Sequence, residues 1–254
     1  MHPHSSVHRQ VSEDVHTGAL FLEVFMRRLI RYFSPAERIL WGSSVGLILS
    51  FFLIFDRTNI LTLIASLLGA TSLIFNAKGN PFGQFLMIVF SLLYGIISYT
   101  FAYYGEMITY LGMTAPMALF ALIAWLRHPY KGKKSEVEVN RLHAREYVFM
   151  MLLSAAVTVL FYYILAAFDT ANLLPSTLSV TTSFIAVYLT FRRSPYFALA
   201  YAANDAVLII LWILASLQNT AYLSVTVCFF IFLVNDLYGF ISWRKMQQRQ
   251  HSGN

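Results

Sequence analysis

Two aspartates lie in stretches of the sequence that are otherwise almost wholly apolar. Asp205 is near the middle of the apolar run 196–218, and Asp236 is in the second half of the run 220–243. Burying an ionisable group in such a stretch costs free energy, so each is a candidate functional residue by default. The alternative is that both aspartates bond to neighbouring helices and only hold the protein together.

Aromatic and amide side chains surround Asp205 at helical spacing. Tyr201 lies four residues earlier on the same helical face, and Asn204 is next to it. Such a set can hold a planar polar ring, cationic rings included, because the aromatic ring stacks on it while the amide and carboxylate bind its edge. Similar side chains lie near Asp236 and in an earlier apolar run. We therefore predict seven substrate-binding residues: Tyr94, Tyr201, Asn204, Asp205, Asn235, Asp236 and Tyr238.

No catalytic motif accompanies these residues. The sequence contains no HExxH, GxSxG or Walker lysine motif, and an enzyme would have to use Asp205 and Asp236 as its catalytic pair. The single cysteine, Cys228, excludes an internal disulfide framework and a cysteine-based metal site. We therefore expect no enzyme activity, no cofactor and no metal.

The composition places these residues in a membrane protein. Of the 254 residues, 58% are hydrophobic, 16% are aromatic and only 12% are charged, with a mean hydropathy of +0.62. A soluble domain carries about 45–50% apolar and about 25% charged residues, and disordered chains are poor in aromatic residues. We expect a single all-α polytopic membrane bundle.

Eight stretches are long and apolar enough to span a membrane, which takes about 20 residues. They are 39–55, 58–75, 82–104, 107–126, 148–168, 173–190, 196–218 and 220–243, and short polar turns such as that at 105–106 separate most of them. Residues 1–38 are expected to form a tail without a signal peptide. Its helix over Ala19–Phe33 is amphipathic and predicted to lie in the headgroup plane, or alternatively to be a soluble helical tail. Residues 246–254 form a second tail.

The positive residues predict the orientation. With a cytoplasmic N-terminus and eight alternating spans, every one of the 18 Lys and Arg residues except Arg57 falls on the cytoplasmic side, as do both termini. The net charge of +6 therefore reflects topology and indicates the lipid bilayer, not nucleic acid, as partner. The charged loop 127–147 is expected to be a solvated linker, with docking of a partner as the alternative.

An internal repeat relates two parts of the chain. Pro81 and Pro195 lie 114 residues apart, and each follows a basic loop between two spans. Repeat one (58–126) and repeat two (173–245) both end just after a tryptophan, and the single span 148–168 between them gives both the same orientation. In such parallel 3+1+3 arrangements the substrate site lies at the repeat interface near the membrane midplane.

Two groups of short motifs resemble PnuC-type members of the Pnu family of vitamin transporters. They are LIFNAKGN (73–80), LYGII (93–97) and YYGEM (103–107) in the first half, and TSFIAVYLTFRR (182–193) and NDLYGFISWR (235–244) in the second. The likeness covers about residues 58–245. It implies a SWEET-like fold, often a homotrimer, in a bacterial inner membrane. It also implies facilitated diffusion of nicotinamide riboside, which intracellular phosphorylation then traps.

The chain departs from the PnuC-type pattern in the sixth and seventh spans. The family's two tryptophans fall on Ala198 and Tyr201, and an aspartate usual in the preceding span falls on Ser176. Asp205 stands at the family's polar position, and Asn235 matches its asparagine in the last span. The change to Ala198 is expected to enlarge or move the stacking slot. The alternatives left open are another vitamin or nucleoside (thiamine, riboflavin, a deoxynucleoside), a substrate-capture subunit of an ATP-driven importer, and a membrane enzyme or scaffold.

Overall fold

The structure, a computed structural model, describes residues 31–55, 57–100, 103–170 and 172–252. Eight helices in this part of the chain are long and apolar enough to cross a membrane, which confirms the predicted all-α polytopic fold. They are α1 (Pro35–Phe55), α2 (Ile60–Ala77), α3 (Pro81–Thr100), α4 (Tyr104–Arg127), α5 (Ala144–Ala167), α6 (Leu173–Phe191), α7 (Phe197–Ser216) and α8 (Leu223–Ser252). A hairpin of two strands, β1 (Pro129–Tyr130) and β2 (Lys133–Val137), follows α4.

The two ends of the described chain add detail to the predicted tails. A capping box starts α1: the Ser34 N–H donates to Glu37 Oε2 (2.7 Å), and the Glu37 N–H donates to Ser34 Oγ (3.3 Å). Helix α8 runs for 30 residues and continues past the apolar stretch into the predicted second tail. The predicted amphipathic helix over 19–33 lies almost entirely outside the described residues.

Among the described residues, six helices of the compact unit 43–254 form a closed ring. The order around the ring is α2, α3, α4, α6, α7 and α8, and α8 contacts α2 again. Helix α5 packs against α6 outside this ring. The first helix of each predicted repeat therefore contacts the last helix of the other repeat: α2 contacts α8, and α6 contacts α4.

The same turn follows α2 and α6, at positions 114 residues apart. The Gly79 N–H donates to Asn76 O (2.9 Å), and the Arg193 N–H donates to Thr190 O (3.0 Å). Gly79 and Arg193 both have a positive φ, 66° and 57°, as the residue that ends a helix in this way requires. Glycine adopts this conformation without strain, whereas arginine does not. The offset equals the one predicted for the internal repeat.

Two buried tryptophans join the repeats by equivalent hydrogen bonds. Trp125 Nε1–H of α4 donates to Thr190 O of α6 (2.9 Å), and Trp243 Nε1–H of α8 donates to Asn76 O of α2 (2.7 Å). Both carbonyl groups belong to the last turn of a helix, where the amide four residues on is no longer helical. The two indole rings also contact each other, with centroids 5.3 Å apart. The last helix of each repeat is thus bound to the end of the first helix of the other.

The loop between α4 and α5 is bound to both of these turns. The Val137 N–H donates to Gly79 O (2.9 Å), and the Asn140 N–H donates to Arg193 O (3.0 Å). The Val137 side chain is fully buried. The prediction of a solvated linker over 127–147 holds for residues 131–135, which are exposed, but is wrong for the stretch around Val137, which packs against the helix ends.

Loss of either indole hydrogen bond is expected to destabilise the protein by about 0.5–1.5 kcal/mol, because each carbonyl group loses one of its two donors and keeps the N–H of Gly79 or Arg193. Trp125→Phe and Trp243→Phe should each lower the midpoint of thermal unfolding of the detergent-purified protein, and by similar amounts. Tyr163→Phe, on the exposed face of α5, is the control. A loss of stability in only one of the two tryptophan variants would contradict the equivalence of these contacts.

Candidate functional site

A small cavity with both apolar and polar side chains in its wall lies at the centre of the helix ring, and every ring helix contributes to this wall. The lining residues are Leu73 of α2, Met87 and Phe90 of α3, Tyr110 and Thr114 of α4, Ser183 of α6, Tyr201, Asn204 and Asp205 of α7, and Phe229, Phe232 and Asp236 of α8. Four of the seven predicted substrate-binding residues meet here. The cavity measures about 20 Å³, room for about one water molecule. A larger solute therefore enters only when the walls move.

Asp205 and Asp236 form a carboxyl pair on the cavity wall. Each is 4% exposed, and their carboxyl groups are in hydrogen-bonding contact. Asp205 Oδ2 has no further partner among the described residues, and none of the described lining residues is Lys, Arg or His. Two ionised carboxylates in contact repel each other strongly in a medium of low dielectric. The pair is therefore stable with one shared proton or with a bound cation.

Asn204 is held in place by two hydroxyl groups of α6. Thr182 Oγ1 and Ser183 Oγ both donate to Asn204 Oδ1, at 2.8 and 3.0 Å. With its oxygen occupied in this way, the Asn204 amide keeps its NH₂ group for a ligand. These two hydroxyl residues of α6, half-buried Thr182 and buried Ser183, thus fix the amide next to Asp205.

Tyr201 supplies an aromatic ring next to the carboxyl pair and lies within electrostatic reach of both aspartates. Ala198, one turn earlier on α7, is fully buried. A Cβ built on Gly239 of α8 would lie only 3.4 Å from Ala198 Cβ. The close approach of α7 and α8 therefore leaves no enlarged slot at Ala198, and a stacking slot moved to another position stays a prediction.

Tyr94 lies in an aromatic cluster next to the cavity and not on its wall. Trp212 Nε1–H donates to Tyr94 Oη (2.8 Å), and the Tyr94 and Tyr110 rings have centroids 4.4 Å apart. Tyr103 also contacts the Trp212 ring at 4.9 Å. This cluster separates the cavity from the end of the ring that carries the α3–α4 and α7–α8 turns.

Asn235 and Tyr238 lie outside the cavity wall. Asn235 Nδ2 donates to Ser44 Oγ of α1 (3.0 Å) and to Ile231 O (2.8 Å). Successive residues of a helix point about 100° apart, so Asp236 on the cavity wall turns Asn235 away from it. This closed conformation therefore does not bring Asn235 and Tyr238 together with the carboxyl pair.

The sequence analysis missed a third buried carboxyl group, that of Glu106. The predicted turn at 105–106 is wrong, because α4 already begins at Tyr104. Glu106 is 2% exposed, and Ser179 Oγ of α6 donates to its Oε1 at 3.2 Å. Glu106 Oε2 has no hydrogen-bond partner among the described residues. A fourth span counted from residue 104 instead of 107 would have identified this group.

Helix α4 changes type where it meets the cavity. Residues Tyr110–Thr114 form a π-helical turn, and both Tyr110 and Thr114 line the cavity. Single π-helical turns inside α-helices are frequent at functional sites. We interpret this turn as the part of α4 that adjusts when the cavity changes size.

A bundle of membrane-spanning helices around a small central cavity with buried polar groups in its wall has the architecture of a solute transporter. Residues 59–245 match the model of the nicotinamide mononucleotide transporter family, and the chain belongs to that family. It is 28% identical over 207 residues to the nicotinamide riboside transporter PnuC of Neisseria mucosa (strain ATCC 25996 / DSM 4631 / NCTC 10774 / M26), covering 79% of this chain and 77% of that protein. The crystal structure of the vitamin B3 transporter PnuC has the same fold. Its TM-score is 0.76 with 23% identity over 86% of this chain and 94% of that one.

Replacing one carboxyl group of the pair by an amide is expected to stabilise the unliganded protein by about 1 kcal/mol, because an amide donates to the remaining carboxylate without needing a shared proton. Asp205→Asn and Asp236→Asn should each raise the midpoint of thermal unfolding at neutral pH. Glu138→Gln, an exposed residue of the α4–α5 loop, is the control. A lower midpoint in both variants would show that the pair acts as a structural bond between α7 and α8.

Proposed function

We propose that the protein carries nicotinamide riboside across the membrane by facilitated diffusion. The observation that carries this proposal is the Asp205–Asp236 pair on the wall of a cavity whose described lining holds no basic side chain. Nicotinamide riboside has a permanently charged pyridinium ring, a carboxamide group and ribose hydroxyl groups. A carboxyl pair, an amide and an aromatic ring at one site suit these three groups. The family of the chain and the name of its Neisseria relative support the same substrate.

The roles of the four cavity residues follow from their chemistry. Tyr201 stacks on the pyridinium ring, and the carboxyl pair of Asp205 and Asp236 binds its charge and a ribose hydroxyl group. The Asn204 amide donates from its NH₂ group to the carboxamide oxygen. Tyr94 contributes through the neighbouring aromatic cluster and does not contact a ligand in the closed cavity. Asn235 and Tyr238 reach the ligand only when α8 rotates.

Transport requires the closed cavity to open to each side in turn. We propose that the two repeats rock against each other as parallel halves of a SWEET-like 3+1+3 bundle. The paired turns, 114 residues apart as predicted, and the paired tryptophan contacts to the carbonyl groups of these turns support this proposal. The π-helical turn of α4 and the aromatic cluster would move with the outer ends of the helices.

The setting of the protein in the cell is proposed from the sequence. The distribution of Lys and Arg favours cytoplasmic termini in a multi-pass protein of the bacterial inner membrane. The family resemblance favours a homotrimer with one pathway in each subunit. It also favours trapping of the substrate by phosphorylation inside the cell, which would keep the inward gradient without any energy source in the transporter.

Thermal unfolding of the detergent-purified protein identifies the substrate. Nicotinamide riboside at about 100 times its Kd is expected to stabilise the protein by about 2.7 kcal/mol, because it binds only the folded state. Thiamine, riboflavin and deoxynucleosides form the rest of the panel. Stabilisation by one of these compounds in place of nicotinamide riboside would assign the protein to that substrate.

Uptake by the purified protein alone in liposomes distinguishes the remaining alternatives. Saturable uptake down a gradient of nicotinamide riboside supports facilitated diffusion. Binding without uptake would favour a capture subunit that depends on an ATP-driven partner, and the lack of any saturable binding would favour a scaffold or an enzyme.

Asp205→Ala is expected to weaken the binding of nicotinamide riboside about 10–100-fold, because it removes a hydrogen-bonding charge that faces the ligand. Tyr201→Ala is expected to weaken binding about tenfold through the loss of stacking and cation–π attraction. Titration of ligand-induced stabilisation measures both, with Tyr163→Phe as the control. Unchanged affinity in both variants would show that the substrate binds elsewhere.

A further inference from the structure

Glu106 is the buried carboxyl group for which the proposed site has no role. It lies in the first turn of α4, at the end of the ring that the positive residues place outside the cell. Its contact across the helix interface is with Ser179 of α6 (3.2 Å), which binds only one carboxyl oxygen. The second oxygen, Oε2, is buried without a partner among the described residues. A bond between α4 and α6 alone would leave this oxygen unexplained.

A buried polar path connects Glu106 with the central cavity. On α6, Ser176, Ser179 and Ser183 follow one another at spacings of three and four residues, and all three are buried. Ser179 contacts Glu106, while Ser183 contacts Asn204 in the cavity wall. One face of α6 therefore carries hydroxyl groups from the outer carboxyl group to the central site.

The charged groups along this path favour a cation over its whole length, from Glu106 to the central cavity. Tyr110, on the cavity wall, lies within electrostatic reach of both Glu106 and Asp205. In the described ring helices the basic side chains are Arg127, at the end of α4, and those of α8 from Arg244 onward. These lie at the opposite end of the ring from Glu106, so no basic residue of the ring offsets its charge. A positively charged solute is the partner that such an arrangement lacks.

We propose that Glu106 is a second binding residue for the transported cation, on the outer side of the central cavity. The positively charged pyridinium ring of the solute is attracted to Glu106 first. The solute then passes along the hydroxyl groups of α6 to the Asp205–Asp236 pair. Glu106 thereby selects positively charged solutes over neutral ones of the same shape. This inference rests on the proposed function, because it assumes a cationic nucleoside as substrate.

Transport of a charged and a neutral analogue tests this role. Nicotinamide riboside is compared with benzamide riboside, a neutral analogue of nearly the same shape, by the ratio of their kcat/KM values in proteoliposomes. Glu106→Gln keeps the size and can still accept from Ser179, and it is expected to lower this ratio about tenfold, mainly by slowing transport of the cation. Glu106→Asp retains the charge and should keep most of the preference.

Two further variants separate selection from structure. Ser179→Ala removes one hydroxyl group of the path and the contact between α4 and α6 but leaves the charge of Glu106. It should therefore slow transport of the charged and the neutral analogue alike, and the ratio should stay near that of the wild type. Glu138→Gln makes the same chemical change at an exposed position and should leave the ratio of the kcat/KM values unchanged. An unchanged ratio in Glu106→Gln, with a lower unfolding midpoint, would overturn the proposal and leave a structural role. A wild-type protein that does not transport nicotinamide riboside would instead refute the proposed function.

A measurement with Glu106 intact covers the case in which Glu106→Gln does not fold. Ser179→Cys in a Cys228→Ser background is labelled with methanethiosulfonates that carry a trimethylammonium or a sulfonate group, and each rate is divided by that for free cysteine. We expect the cationic reagent to react at least tenfold faster, and nicotinamide riboside to protect the site. Equal rates, lack of protection or lack of labelling would each contradict a cation site beside Glu106.

Discussion

The contact between Asp205 and Asp236 is the interaction on which the rest of the site depends. Two carboxyl groups side by side inside a membrane bundle raise the free energy of the empty protein, and no basic residue of the described cavity lining compensates for them. Without a ligand the pair is stable with one shared proton, because two ionised carboxylates would repel each other. Under the proposed function, a positively charged ligand takes the place of that proton. The feature that is costly in the empty protein would then be the one that selects the solute.

The two repeats share a scaffold but contribute different chemistry. Their turns at Gly79 and Arg193 match, as do the tryptophan contacts that join them. Both central carboxyl groups come from repeat two, whereas Ser91 stands at the position of repeat one that corresponds to Asp205, and it is buried. Aromatic rings line the cavity from both repeats, two from repeat one (Phe90, Tyr110) and three from repeat two (Tyr201, Phe229, Phe232). A symmetric frame thus holds an asymmetric site, in which both central carboxyl groups come from one repeat and aromatic rings come from both.

The sequence was sufficient to predict the spans and to single out Asp205 and Asp236, because both depend on hydropathy along the chain, but it did not show that the two carboxyl groups lie side by side. Asp205 and Asp236 stand out against apolar neighbours wherever their helices lie. Glu106 was missed because its position next to a glycine is typical of a turn, and only the packing of α4 against α6 shows that it is buried. The surroundings of Asn235 depend on how α8 is rotated about its axis, and those of Ala198 depend on the distance between α7 and α8. These quantities depend on contacts between residues far apart in the chain, which no local pattern contains.

The loop between α4 and α5 has a mechanical consequence. Its amides at Val137 and Asn140 bind Gly79 O in one repeat and Arg193 O in the other, and three residues of chain span at most about 11 Å. The loop therefore acts as a tie of fixed length across one end of the two halves. Under the proposed rocking of the repeats, the halves separate most easily at the far end. Opening at the tied end is then the slower movement, because it has to stretch or release the loop.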